Sequence, residues 1–380
     1  MDEQDIFFAS FGLVVLDEIR FPGRAPLTNI LGGSGAYATL GALLFLPSPK
    51  SRRVAWRIHT GNDFPESIEE LLQSWDITLH IDEKLERLSA RGLLEYKDTT
   101  FGRKDSLLEP WNTTFATLNE RRSLLKHSTA KTFQYTTPIL VVDELSIGET
   151  ALLKSNVYHY LASPQDIKIR VTNLLALRHK AGILDRPLII WEPAPLSCSP
   201  DNLQACFDAA RYVDVLSPNH LELLRLFSRA EQTDLTITKI EELATKLVDN
   251  GVGPDNRGIV LIRAGEKGCL VQARYLPATW LPPFYRDELE AGSKELSVSK
   301  VVDPTGAGNA FLGGYAVGYL RTNDALRAAC YGAVAASIAL EQIGMPERVE
   351  KGDTELWNGV SVEARLQEYM SRKDVERSTR

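Results

Sequence analysis

Hydrophobic and amphipathic segments alternate along most of the chain. Short runs rich in Val, Ile and aromatic residues predict buried strands, and the stretches between them carry apolar residues at helical spacing. Strands that alternate with helices form a mostly parallel sheet covered by helices on both faces. The pattern therefore predicts an α/β fold. The clearest predicted strands lie at residues 6–19, 53–60, 157–163, 187–193, 213–218 and 258–265.

Four segments depart from this alternation. Residues 21–30 look like a loop or an edge segment, and residues 88–109 hold two apolar stretches typical of a β-hairpin or flap. Residues 110–140 show no strong period, so we expect irregular structure there. The last residues, 369–380, are polar, and we expect them to fray.

Composition and charge narrow the possible classes of protein. The chain has 380 residues, of which 44% are apolar and 24% charged, and its formal net charge is −7. These values fit a globular protein, and no basic cluster is dense enough to follow a nucleic-acid backbone, so we expect no nucleic-acid partner. The four cysteines are far apart, which favours reduced thiols. With no signal peptide and no apolar run of about 20 residues, we expect no membrane partner and a cytoplasmic protein, with the nucleus as an alternative.

A turn of small residues follows the apolar pair Val301 and Val302 in "VVDPTGAGNAFLGG". Gly306, Ala307 and Gly308 would leave backbone N–H groups uncovered at the start of a helix, where those groups and the helix dipole attract an anion. The same turn could instead be a tight connection between strand and helix. Other polar or glycine residues at predicted strand ends are Asp17, Gly32, Gly33, Asp63, Glu192, Asn219, Glu222 and Gly265.

Several ordered motifs resemble the ribokinase, or PfkB, family of carbohydrate kinases over residues 6–345. They are "GLVVLD" with Gly12 and Asp17, "LGGSGAYAT", "GNDF", "NHLE", "GIVLIRAGEKGCLV" and "VDPTGAGN". The resemblance implies a ribokinase-like three-layer α/β/α sandwich over residues 1–350. It also implies a small β flap from segments near 18–31 and 88–108, with a polar extension at 351–380. "SARGLLEY" and "FQYTTP" are most similar to a fungal maintenance-of-killer subgroup of the family.

The resemblance also implies roles for single residues. Asp17, Gly32 and Gly33 would bind a sugar-like substrate, and the turn from Gly306 to Gly308 would stabilise the transferred phosphoryl group. It implies ATP as co-substrate with Mg²⁺, a monovalent cation near Asp303, and a homodimer or another protein partner as a further possibility. The implied nucleotide-binding residues are Asn219, Glu222, Gly265, Asp303 and Thr305, of which Asn219 and Glu222 would also serve the metal.

Three positions depart from the family pattern. The family has an Asp as general base at the end of the last motif, but this chain has Asn309, whose carboxamide cannot usefully accept a proton. Tyr37 lies in the region where a substrate-binding Asn is frequent. Arg263 replaces a small polar residue and would either clamp phosphates or fill the nucleotide pocket. Two hypotheses follow: a carbohydrate kinase that is slow because of Asn309, or a non-catalytic pseudokinase that acts as a ligand sensor or assembly partner.

The roles of three carboxylates stay open at this point. Glu192 follows a strand and fits either a metal-associated group or a carboxylate that begins a helix. Asp63 fits either the site or an ordinary turn. Asp303 could cap the glycine-rich loop instead of serving a cation.

Overall fold

The computed structural model of the protein describes residues 5–96, 131–229, 235–286, 300–351 and 354–379. The strands of these residues, in chain order, are β1 (Phe8–Ser10), β2 (Val15–Arg20), β3 (Leu27–Gly32), β4 (Val54–Gly61), β5 (Thr78–Lys84), β6 (Arg91–Tyr96), β7 (Lys131–Tyr135), β8 (Val157–Ala162), β9 (Leu188–Pro193), β10 (Val215–Leu216), β11 (Ile259–Arg263), β12 (Cys269–Ala273), β13 (Leu276–Leu281), β14 (Arg348–Lys351) and β15 (Thr354–Trp357). The helices are α1 (Ser34–Leu43), α2 (Glu66–Ser74), α3 (Pro164–Lys180), α4 (Leu203–Ala210), α5 (His220–Phe227), α6 (Ile237–Asn250), α7 (Ala307–Thr322), α8 (Ala325–Ala339), α9 (Val362–Met370) and α10 (Lys373–Ser378).

A nine-stranded sheet forms the centre of the fold, with the order β13-β12-β11-β10-β9-β8-β1-β4-β5. All neighbours from β11 to β5 pair in parallel, and β12 and β13 add an antiparallel edge. The prediction of a mostly parallel sheet is confirmed. In such a sheet the carboxyl ends of the parallel strands lie at one edge, which is where ligands bind in open α/β folds.

Helices cover both faces of this sheet and give two separate hydrophobic cores. Successive strand residues point to opposite faces, so Phe8 packs into one core and its neighbour Ala9 into the other. The first core contains residues of α1, α2, α7, α8 and α9, and the second contains residues of α3, α4, α5 and α6. The fold is therefore a three-layer α/β/α sandwich.

A second, four-stranded sheet forms the flap, in the order β3-β2-β6-β7. The prediction of one strand over 6–19 is wrong, because the chain leaves the central sheet after β1 and enters the flap as β2. The break lies at Gly12, where a Cβ would overlap the backbone of Gly35. Residues 15–20 therefore belong to the flap and not to the central sheet.

The last strand of the flap, β7, corrects the expectation of irregular structure over 110–140 for residues 131–135, while residues 110–130 lie outside the described residues. It pairs antiparallel with β6, from Gly92 opposite Tyr135 to Tyr96 opposite Lys131. Its partner β6 is more than thirty residues away, so no local turn motif reveals the pairing. The part of the predicted flap at residues 97–108 lies outside the described residues.

The expectation that the last residues fray is also wrong. Helices α9 and α10 occupy most of the segment, and Tyr369 and Val375 are fully buried in the first core. Their apolar residues are few but lie on one face, which polar composition alone conceals.

The structure also shows the state of the four cysteines and the length of the helices. All four cysteines are free and buried, and burial raises the pKa of Cys206 and of Cys330 to about 12. In the part of the chain that the structure describes, no helix is long and apolar enough to cross a membrane.

Candidate functional site

Several predicted residues meet at the carboxyl edge of the central sheet. Glu192 lies near the end of β9, Arg263 ends β11, and Asn219 follows β10 and pairs with Arg263 through an isolated parallel bridge. Glu192 and Arg263 reach the start of α7, where Asn309 lies in the first turn. The parallel sheet thus brings together residues that are more than a hundred positions apart.

Helix α7 begins without a side-chain cap. Its first flanking residue, Gly306, has φ 76°, a left-handed conformation that favours glycine. The preceding loop is held by Asp303, whose Oδ1 accepts hydrogen bonds from the backbone N–H of Thr305 (2.9 Å) and from its hydroxyl (2.6 Å). Asp303 therefore caps the loop, which is one of its two expected roles. In the first turn of the helix, the backbone N–H groups of Ala307 and Asn309 donate to the carbonyls of Pro304 (3.4 Å) and Gly306 (3.0 Å), which leaves the N–H of Gly308 to meet an anion.

Two of the residues that depart from the family pattern cover the two glycines of this turn. A Cβ built on Gly306 would overlap the ring of Tyr37, and a Cβ built on Gly308 would overlap Nη1 of Arg263. Tyr37 is only 3% exposed and Arg263 9%. In this structure Arg263 therefore fills space beside the turn, which answers the question of where its side chain points.

Arg263 and Glu192 form the centre of a buried charged cluster. Nη2 of Arg263 lies 2.7 Å from Oε1 of Glu192 and 3.6 Å from Oε2 of Glu222, and it donates to the carbonyl of Ser217 (2.8 Å). The side-chain amide of Asn309 donates to Oε2 of Glu192. Both oxygens of Glu192 are therefore engaged by donors of the protein itself.

The two glutamates of the cluster have pKa values shifted in opposite directions. Burial raises the pKa of Glu222 to about 7 against the opposing attraction of Arg263, and the repulsion from Glu192 adds a smaller contribution in the same direction as burial. Glu192 is equally buried, yet the close guanidinium of Arg263 and the neighbouring imidazole of His159 hold its pKa below the ordinary value. We assign the negative charge to Glu192, because it has the shorter ion pair.

Asn219 and Glu222 form a capping box at the start of α5. Oδ1 of Asn219 accepts from the backbone N–H groups of Leu221 (2.9 Å) and Glu222 (2.8 Å), and Oε2 of Glu222 accepts from the backbone N–H of Asn219 (2.8 Å). Mg²⁺ requires free oxygen ligands in near-octahedral geometry. As placed here, Oδ1 of Asn219 and Oε2 of Glu222 already accept hydrogen bonds, which leaves Oε1 of Glu222 as the one oxygen of this pair without such a bond in the structure and makes the pair a poor fit for a directly bound Mg²⁺.

His159 and Ser10 extend the cluster into the sheet, and sequence reasoning did not find either. Nε2 of His159 lies 3.6 Å from Oε2 of Glu192, and its Nδ1 lies 3.1 Å from the hydroxyl of Ser10. Both residues are in neighbouring strands, β8 and β1, and both are buried. A histidine in an otherwise apolar strand was the available sign of a buried polar partner.

Two of the predicted substrate residues, Asp17 and Gly32, lie in the flap strands β2 and β3. The Asp17 carboxylate lies between Gly32 and Gly92, since a Cβ on either glycine would overlap one of its oxygens. The hydroxyl of Tyr96 donates to Oδ1 of Asp303 (2.8 Å). Burial, with the nearby charges of Asp303 and Asp17, raises the pKa of Tyr37 and of Tyr96.

Three predicted residues have other surroundings. Gly33 has φ 95° and packs against the backbone of Leu13 at the start of α1. Gly265, with φ 57°, begins a turn after β11, and a Cβ there would meet open space. Asp63 accepts from the backbone N–H of Ser89 (2.7 Å) and from Arg91 (2.6 Å), so its contacts are those of a structural turn residue.

Comparisons with known proteins agree with this architecture. A family model described as "pfkB family carbohydrate kinase" matches residues 98–351. An uncharacterized protein of Schizosaccharomyces pombe is 30% identical, covering 96% of this chain and 93% of that protein. Protein MAK32 of Saccharomyces cerevisiae is 27% identical, covering 96% and 92%, which confirms the similarity to the fungal subgroup.

Solved structures show the same fold at low sequence identity. Ribokinase from Giardia lamblia superposes with a TM-score of 0.61 at 15% identity, covering 89% of this chain and 95% of that one. A putative ribokinase II from E. coli, in complex with ATP and Mg²⁺, superposes with a TM-score of 0.58 at 14% identity, covering 98% and 99%. The fold is ribokinase-like, and the chain belongs to the pfkB family of carbohydrate kinases.

Proposed function

We propose that this protein binds ATP and a sugar-like alcohol and transfers phosphate between them slowly. The observation that supports this most is the side chain of Asn309, which lies in the first turn of an uncapped helix and donates its amide to Glu192. The turn offers a phosphate the backbone N–H of Gly308, while the position of the general base holds a group that cannot take a proton.

The residues around the turn have distinct roles in this proposal. Gly306, Ala307 and Gly308 stabilise the transferred phosphoryl group, and Asn219 and Thr305 lie beside the nucleotide. The amide oxygen of Asn309 accepts a hydrogen bond from the acceptor hydroxyl without removing its proton. Since a general base contributes roughly 10²–10⁴ in rate, transfer is slow but positioning and charge stabilisation remain.

Asp17 and the flap supply the acceptor side of the proposal. The Asp17 carboxylate binds hydroxyl groups of the alcohol, and Gly32 and Gly33 let the backbone come close to it. Strands β2, β3, β6 and β7 cover this space and exclude water, which competes with the alcohol for the phosphoryl group.

A second candidate is a pseudokinase that binds a ligand or a protein partner without turnover. Tyr37 and Arg263 favour it, since they cover Gly306 and Gly308 and would oppose a close approach of phosphate. The two candidates differ in whether any variant can restore transfer.

The test exchanges the amide of Asn309 and the carboxylate of Glu192, which are joined by a hydrogen bond. Asn309→Asp alone would place two carboxylates in contact, so the informative variant is Asn309→Asp/Glu192→Gln, which keeps one carboxylate and one amide. We expect ADP production with a panel of sugars and polyols to rise at least tenfold over the wild type. Glu192→Gln alone is the matched control and should give no gain.

Two outcomes contradict the proposal. If sugars and ATP bind but the double variant produces ADP no faster than the wild type, the missing base does not limit the rate. If no variant turns over and ATP does not raise the unfolding temperature, the pseudokinase candidate replaces the slow kinase. At a ligand concentration of about 100 times Kd, binding stabilises a fold by about 2.7 kcal/mol, which a thermal scan detects.

A further inference from the structure

The guanidinium of Arg263 lies between an acidic pair and the start of α7. Its Nη2 makes the contacts with Glu192, Glu222 and the carbonyl of Ser217, while Nε is buried and has no hydrogen-bond partner among the described residues. Its Nη1 is the atom that a Cβ on Gly308 would overlap. The side chain is only 10% exposed, so its remaining donors face the site and not the solvent.

An anion at the turn would add to the stabilisation that Glu192 already gives this guanidinium. The start of a helix carries a partial positive charge, and a cation placed there is repelled. Glu192 and Glu222 hold the guanidinium from behind, through Nη2. An oxyanion at the turn would accept from the N–H of Gly308 and from the guanidinium together, and such charge-assisted hydrogen bonds are the strong ones.

Most of the oxygens that would hold a divalent cation are already used by donors of the chain. Glu192 accepts from Arg263 and Asn309, Asn219 accepts from two backbone N–H groups, and Oε2 of Glu222 accepts from the backbone of Asn219. In the described part of the chain, no group of three or more His, Cys, Asp or Glu side chains is arranged to hold a metal ion. A permanent positive charge thus occupies the place where the sequence predicted magnesium.

We propose that Arg263 replaces the divalent cation, so that this site binds a phosphate group without metal. The location of the phosphate rests on the function proposed above, but the metal independence does not follow from that function. The ligand chemistry is a phosphate or pyrophosphate group, carried by a nucleotide or free.

The test measures binding and not turnover. Isothermal titration with ATP and with inorganic pyrophosphate, each in EDTA and in millimolar Mg²⁺, should give Kd values in EDTA within about threefold of those in Mg²⁺. Arg263→Ser should weaken binding in EDTA at least tenfold, and Arg263→Lys, which keeps the charge but loses the planar donors, should weaken it less. Arg229→Ser, at an exposed arginine far along the chain, is the matched control and should leave Kd unchanged.

A second variant keeps the test valid if Arg263→Ser does not fold. Arg263→Ser/Glu192→Gln removes one buried charge of each sign, and its unfolding transition shows whether the fold is intact. It should also lose binding in EDTA. If either folded variant without Arg263 binds in EDTA as the wild type does, the proposal is overturned.

The remaining outcomes separate this proposal from the proposed function. Binding of ATP by the wild type only when Mg²⁺ is present overturns the metal independence and leaves the slow kinase intact. Metal-free binding of pyrophosphate but not of ATP supports the role of Arg263 and contradicts the nucleotide part of the proposed function. Binding of neither ligand under any condition means that the guanidinium closes the turn, and it overturns the proposal.

Discussion

The two sides of the candidate site balance their charges differently. On the side of the glycine-rich turn, Glu192 contacts both Arg263 and Asn309, while Nε of Arg263 has no hydrogen-bond partner among the described residues. On the flap side, the Asp17 carboxylate lies between two glycines, and Asp303 accepts from hydroxyl and backbone groups. The first side is built on a buried ion pair and the second on hydrogen bonds to carboxylates.

The difference coincides with the departures from the family pattern. On the flap side, Asp17 matches the acid that the family resemblance predicts. On the side of the turn, Asn309 stands where the resemblance predicts an acid, and Arg263 stands where it predicts a small polar residue; both contact Glu192. Tyr37 also lies on this side, against Gly306, so all three departures from the family pattern are found at the turn.

The largest effect is expected from breaking the buried ion pair. Glu192→Gln leaves Arg263 buried with only the more distant Glu222, and removing one partner of a buried pair typically costs about 3–5 kcal/mol. We expect a loss of about 3 kcal/mol in the free energy of unfolding, measured with urea.

A surface pair and a double variant sharpen this prediction. Glu363→Gln breaks an ion pair of similar length with Arg321 (3.0 Å), but Glu363 is 56% exposed, so its loss should stay within about 1 kcal/mol. Arg263→Met/Glu192→Gln removes both charges and should recover most of the loss. Equal losses in the free energy of unfolding for Glu192→Gln and Glu363→Gln would contradict a strong interaction between Glu192 and Arg263.

A smaller effect is expected from pH, through Glu222. Its pKa in the folded protein is about 7, above the ordinary value of 4.5, because burial and Glu192 disfavour the charged form. Stability from this group is fully present below about pH 4.5 and is lost as the pH rises through 7. Relative to Glu222→Gln, we expect the free energy of unfolding of the wild type to fall by about 1–3 kcal/mol from pH 5 to pH 8.

The Glu222→Gln variant is the control for the effect of pH, because glutamine does not titrate. Gln at 222 can still accept from the backbone N–H of Asn219, so the capping box is retained while the titration is removed. The measurement is made in metal-free buffer. A difference that grows with pH in favour of the wild type would mean that Glu222 is stabilised as a carboxylate, and the assignment of charge to Glu192 would then be wrong.

The sequence predicts the central sheet better than the flap for a physical reason. Buried parallel strands read as continuous apolar runs, and each is followed by its own helix, so order and class follow from the pattern. The flap strands β6 and β7 pair across a long insertion, and β2 continues an apolar run that begins in another sheet. Local propensity and hydrophobic periodicity do not indicate that the chain passes from one sheet to another.

The same limit applies to the site. Motif spacing is enough to predict Asn309 as a substituted base and to identify Tyr37 and Arg263 as departures. It does not show that the side chains of Tyr37 and Arg263 pack against the glycines at the start of α7. Those contacts depend on how strand β11 and helix α1 pack against α7. His159 contacts Glu192 from a strand that no motif includes, so only the assembled sheet reveals it.

The smallest effect is expected on the flap side, from Tyr96→Phe. The change removes one hydroxyl that donates to Asp303, but Oδ1 of Asp303 still accepts from the backbone and hydroxyl of Thr305. The loss in the free energy of unfolding should therefore be about 1 kcal/mol. Tyr285→Phe, which removes a phenol that donates to Glu341 away from the site, is the matched control and should cost about as much.

Ligand binding then separates the two tyrosines. Tyr96 joins the flap to the loop before α7, so its loss should weaken sugar or nucleotide binding measurably, whereas Tyr285→Phe should not. Equal binding by both variants would mean that the hydroxyl of Tyr96 only supports the fold. The flap side and the turn would then be energetically separate, because the bond between them that runs through Asp303 would carry no coupling.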